Sequence, residues 1–123
     1  MKYLPTILVC TIVLILSVIN TGVLPKTDVP SADKIVHTIM YFGITLILML
    51  NQTSYLREQI TKRQLYFAFL FSVGFGTLME VIQHFLPWRS GSVYDFIANT
   101  LGVLLAIVII LLIAHFKYEW FIV

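Results

Sequence analysis

The chain has 123 residues, of which 59% are hydrophobic and only 11% charged, with a mean hydropathy of +0.95. Soluble domains carry about a quarter charged residues, so this composition excludes an ordinary soluble protein and points to an integral membrane protein. A net charge of +2, with no basic stripe or RNA-binding signature, excludes nucleic acid as a partner.

Four apolar runs, near 3–24, 34–50, 65–86 and 94–115, approach the ~20 residues that a membrane core requires. The first follows a single positive charge, Lys2, and continues through Ile7–Ile19. Asn20-Thr21-Gly22 is a poor cleavage site, so this run is expected to be an uncleaved span rather than a signal peptide. Its Cys10 is the chain's one cysteine, which allows no intrachain disulfide. Cys10 reads as a small buried hydrophobe. Val9 before it and the lone Lys2 do not make a lipoprotein signal.

The second run is the shortest and carries His37, with Lys34, His37 and Tyr41 on one helical face at i, i+3, i+7. In the third, Glu80, Gln83 and His84 fall at i, i+3, i+4. In the fourth, Asp95, Asn99 and Gly102 fall at i, i+4, i+7. An ionisable group at the centre of a span costs ~2.5–3.5 kcal/mol on insertion scales, and such groups usually mark functional sites. Small residues recur every fourth position in the third run (Ala68, Ser72, Gly76) and the fourth (Ala98, Gly102, Ala106). That spacing lets helices approach closely in lipid. It predicts a tight hairpin of spans three and four.

The connections are 25–33, 51–64 and 87–93, and no internal repeat or low-complexity linker appears. The chain therefore reads as one domain, 1–123, all-α: four transmembrane helices in a compact bundle. Lys2, Arg57, Lys62, Arg63 and Lys117 would share one side, against Lys26, Lys34 and Arg89 on the other. This balance predicts both termini in the cytoplasm. The tail 116–123 reads as an interfacial aromatic belt, and Arg57, Lys62 and Arg63 as a topology determinant that touches anionic lipid. The polar faces of spans two to four then gather at the outer face, capped by the loop Pro87-Trp88-Arg89-Ser90-Gly91-Ser92.

Asp33-Lys34-x-x-His37-x-x-x-Tyr41, Glu80-x-x-Gln83, Pro87-x-Arg89, Ser92-x-x-Asp95 and Asn99-x-x-Gly102 occur in that order over residues 33–102. This string resembles the VanZ-like family of small bacterial membrane proteins. The founding member of that family is linked to low-level teicoplanin resistance, and the family's biochemical activity is not settled. The resemblance implies a bacterial cytoplasmic (inner) membrane location and functional roles for Lys34, His37, Glu80, Gln83, Arg89, Asp95 and Asn99.

The expectation with most support is an outer-face pocket that binds an anionic cell-envelope group, a cell-wall precursor or phospholipid head. Lys34 and Arg89 would supply positive charge, Glu80 and Asp95 would orient them, and His37 would be a pH-sensitive partner. The second is an intramembrane enzyme acting on a lipid-linked substrate, with Glu80 or His37 as general base. The third is a structural protein whose polar cluster fixes helix register. Membrane lipid is the expected partner, and a second copy of the chain is a further candidate. No cofactor is expected. Glu80, His84, His37 and Asp95 have metal-ligand chemistry, but Lys34 and Arg89 beside them would oppose a cation, so no metal is expected either.

Overall fold

The computed structural model describes residues 1–20 and 31–118. Four helices follow in order: α1 (Leu4–Val18), α2 (Ala32–Gln52), α3 (Lys62–Phe85) and α4 (Val93–Tyr118). The fold class is all-α, with no strand among the described residues. Three of the helices, α2 to α4, are long and apolar enough to cross a membrane. The described α1 has 15 residues, about 22 Å at 1.5 Å per residue. The part of the expected first span at 21–24, the charges Lys26 and Asp28, and most of the aromatic tail lie outside the described residues.

Local chemistry explains the helix ends. Pro5 sits in the first turn of α1, where its missing N–H is not needed. A reciprocal capping box joins Thr61 and Gln64 at the start of α3. Lys62 and Arg63 therefore belong to the first turn of α3, not to the preceding connection. Within the helices, hydroxyls are absorbed by carbonyls one turn back. Thr45 donates to the Tyr41 carbonyl at 2.8 Å and Thr38 to that of Lys34 at 2.9 Å. That arrangement hides a polar group from lipid. Large apolar side chains such as Ile7, Leu70, Leu78 and Leu112 face outward, the inverse of a soluble surface.

The closest helix pair differs from the expected hairpin. Gly102 of α4 lies directly under the Thr38 carbonyl of α2, and a Cβ there would also meet the Phe42 nitrogen at 3.0 Å. The Thr38 hydroxyl crosses to the Ala98 carbonyl at 3.2 Å. Ala98 and Gly102 thus seat α4 on α2, while α3 brings Gly76 against the Tyr41 ring and Asn99. A stripe of small residues states how near a neighbour lies, not which neighbour it is.

An apolar cluster of Leu48, Met49, Ile60, Ala68, Ile110 and Ala114 fills one end of the bundle. Val13, Tyr41, Ile44 and Val103 fill the middle. At the apolar end, Asn51 donates to the Thr6 hydroxyl at 2.6 Å. Lys117 and Lys2 donate to the carbonyls of Leu56 and Gln52 at 3.0 and 3.3 Å. The opposite end, where α2 and α4 begin and α3 finishes, holds the polar cluster.

Candidate functional site

Three helices each supply an ionisable or amide side chain to one buried point. Asn99 of α4 is the hub. Its side-chain oxygen lies 2.9 Å from His37 Nδ1 of α2, and its amide nitrogen donates to Glu80 Oε1 of α3 at 3.1 Å. The amide orientation that feeds Glu80 makes His37 Nδ1 the donor to Asn99 Oδ1, so Nε2 is directed to the other side of the ring. His37 Nε2 faces Asp95 Oδ2 at 3.9 Å, and Nδ1 lies 3.6 Å from Glu80 Oε1. His37, Asp95 and Asn99 are buried, and Glu80 is 9% exposed.

The second carboxylate oxygen of Glu80 accepts the Ser92 backbone N–H at 3.2 Å. That bond requires the connection between α3 and α4 to lie flat on α3. Gly91 permits it, because a Cβ there would come within 2.7 Å of the Glu80 carbonyl. Asp95 has fewer partners. Its Oδ1 is buried and accepts no hydrogen bond, with the Lys34 ammonium 4.0 Å away. Lys34 is partly exposed and also reaches Asp33 at 3.4 Å.

Of the seven candidates from sequence, five meet here: Lys34, His37, Glu80, Asp95 and Asn99. Gln83 and Arg89 do not. The Gln83 amide donates to the Ser17 carbonyl at 3.0 Å. Arg89 donates from Nε to the same carbonyl at 3.1 Å and from Nη2 to that of Leu16 at 2.7 Å. The Trp88 indole takes the Val18 carbonyl at 3.0 Å. These are the last carbonyls of α1, which have no partner within their own helix. A cation is also favoured at that negative end of the helix dipole. Gln83 and Arg89 are thus positioned to hold α1. His84, considered as a ligand with Glu80, is exposed and packs edge-on to Phe85 at 5.8 Å.

The sequence offered no sign of this clamp, because backbone carbonyls carry no residue signature. Arg89→Ala is expected to lower unfolding free energy by about 1–2 kcal/mol and to speed hydrogen exchange in the last turn of α1. An unfolding midpoint equal to wild type, with faster ligand loss, would return Arg89 to a binding role.

The arrangement supports acid–base or cation chemistry at its centre, with one partly exposed ammonium, Lys34, at its edge. A cavity of about 350 Å³ opens beside it between α2 and α4. Ile35, Ile39, Ile97 and Leu101 make its apolar walls, and Lys34 and Tyr94 stand toward the end where both helices begin.

Comparison with known proteins matches residues 4–114 to the family described as VanZ/LLP1. An uncharacterized protein of the fission yeast Schizosaccharomyces pombe is 30% identical over 104 residues, covering 84% of this chain and 61% of the relative. The chain therefore spans about three fifths of that relative's length. No solved structure is a significant match.

Proposed function

The chain belongs to the VanZ/LLP1 family, and from that premise we propose that this multi-pass membrane protein binds an anionic, lipid-linked group of the cell envelope. The lipid chain lies in the groove between α2 and α4, and the head group meets Lys34. The observation that carries this reading is the groove itself: apolar walls of Ile35, Ile39, Ile97 and Leu101 with an ammonium near one end. A hydrocarbon chain suits the walls, and Lys34 is partly exposed, with only long contacts to exposed Asp33 at 3.4 Å and buried Asp95 at 4.0 Å to give up on turning outward. Arg89 is engaged by α1, which leaves Lys34, among the described residues, as the cation offered to the ligand. In this reading the protein resides in the bacterial cytoplasmic membrane with both termini inside, and binding the envelope group contributes to teicoplanin-type resistance.

Lys34→Ala is expected to weaken retention of phosphatidylglycerol about tenfold, the effect of ~1.4 kcal/mol of charge-assisted contact. Phosphatidylcholine retention should be unchanged. Native mass spectrometry of the purified protein reads both. Equal loss of the two lipids would sink the assignment of Lys34 to an anionic head. In bacteria expressing the chain, a teicoplanin susceptibility shift lost in Lys34→Ala at matched membrane levels supports the resistance reading. No shift removes that reading.

A second reading is favoured by the buried His37–Glu80–Asp95 group. Glu80 or His37 acts as general base on a lipid-linked substrate held in the same groove.

A further inference from the structure

We infer that His37, Glu80 and Asp95 form a divalent-cation site of the Zn²⁺ class. One ligand atom from each residue lies within 4.8 Å of the other two. All three groups are buried and come from three different helices. Ligand atoms around a tetrahedral Zn²⁺ at 2.0–2.2 Å stand about 3.4 Å apart. With Nε2 as the histidine ligand, its pair with Asp95 Oδ2 stands at 3.9 Å; side-chain rotations that draw the Glu80 carboxylate in from within the 4.8 Å limit complete the set.

Two independent features point the same way. Asp95 Oδ1 is buried and accepts no hydrogen bond, its one cationic neighbour among the described residues being the Lys34 ammonium at 4.0 Å, which leaves the oxygen short of a direct partner. The hydrogen-bond order through Asn99 engages His37 Nδ1 and leaves Nε2 as the ring nitrogen that faces Asp95. Ligating histidines almost always donate their other ring N–H to an oxygen acceptor, which fixes tautomer and ring direction. Asn99 Oδ1 is that acceptor for Nδ1.

The cations that seemed to oppose a metal are less of an obstacle than sequence implied. Arg89 is committed to the carbonyls of α1. Lys34 reaches Asp95 only at 4.0 Å. One histidine and two carboxylates give a mixed nitrogen–oxygen set with a net charge of −2, which suits a borderline divalent ion. Three protein ligands leave a fourth position open. None of the three ligands lines the Lys34 groove, although Lys34 itself lies 4.0 Å from Asp95; Zn²⁺ uptake in detergent is therefore read without added lipid.

The test uses the full chain, purified with any affinity tag removed, treated with chelator and titrated with Zn²⁺ alone by calorimetry. Wild type is expected to take up one equivalent. Asp95→Asn and His37→Gln should each weaken uptake at least 100-fold, with His84→Ala unchanged. X-ray absorption of the Zn²⁺-loaded wild type provides a reading that no variant's folding can confuse. One imidazole with oxygen ligands at about 2.0–2.1 Å is expected. No saturable uptake, two or more histidines around the metal, or a loss of uptake in His84→Ala would overturn the site.

Discussion

Gly102→Ala is expected to cost the bundle about 3 kcal/mol, the upper part of the range for overpacking a close contact. A Cβ at this position would strike the Thr38 carbonyl and stand 3.0 Å from the Phe42 nitrogen. Both are backbone atoms of α2, so no flexible side chain can move aside. The two helices must separate instead. Separation stretches the Thr38–Ala98 cross-helix bond and carries Asn99 away from His37.

Gly43 and Gly74 supply the contrast, because a Cβ at either meets nothing within 4 Å. Alanine there should be neutral or stabilising by up to about 1 kcal/mol, since glycine in a helix interior is entropically costly. Unfolding titrations of the three variants in the same micelles decide the matter. A Gly102→Ala midpoint equal to wild type would mean that α2 and α4 are not held this closely.

Glu80→Ala and Glu80→Gln are expected to separate the roles of the polar cluster. Alanine removes the acceptor for two donors, Asn99 Nδ2 and the Ser92 N–H. It also leaves His37 with Asp95 as its sole carboxylate neighbour. Breaking a buried charged network from one side costs about 3–5 kcal/mol, so Glu80→Ala should lose membrane yield and unfold readily.

Glutamine keeps the volume and one acceptor oxygen. Its NH₂ group would face either the Asn99 NH₂ or the Ser92 N–H, so one of these donors loses its acceptor unless Asn99 turns over. A turned Asn99 would then present a donor to His37 Nδ1. Glu80→Gln is expected to fold with a loss of about 1–2 kcal/mol, retain phosphatidylglycerol, and abolish turnover if Glu80 is a general base. Preserved turnover would remove Glu80 from that role. Equal loss of yield in both variants, with no separable functional defect, would favour a purely structural cluster.

The helical class, the order of the elements and most of the cluster were legible in the sequence. Apolar runs set against isolated Glu80, Asp95 and Asn99 give both span and site, because lipid penalises each polar group it must bury. Lys34 and His37 were legible from their shared helical face. The pairing of helices was not. Ala98, Gly102, Ala68 and Gly76 mark close approach without naming the partner, and the hairpin of α3 and α4 was the simplest connection rather than the closest.

The fate of Arg89 and Gln83 was hidden for a different reason. Both look like ligands for a charged guest, yet they are occupied by the Leu16 and Ser17 carbonyls. Only the position of the end of α1 in space reveals that. The place of Asn99 as the hub likewise depends on which way its amide faces.

The adjacency of α2 and α4, with α3 between them in the chain, bears on how the protein is made. Chains emerge from the ribosome N-terminal end first. His37 and Glu80 therefore enter the membrane ahead of Asp95 and Asn99. Until the last helix arrives, a buried imidazole and carboxylate have only each other, or the water of the insertion channel. Assembly of this bundle is thus completed by its final segment, and a released chain truncated before Val93 would leave His37 and Glu80 in lipid without their α4 partners.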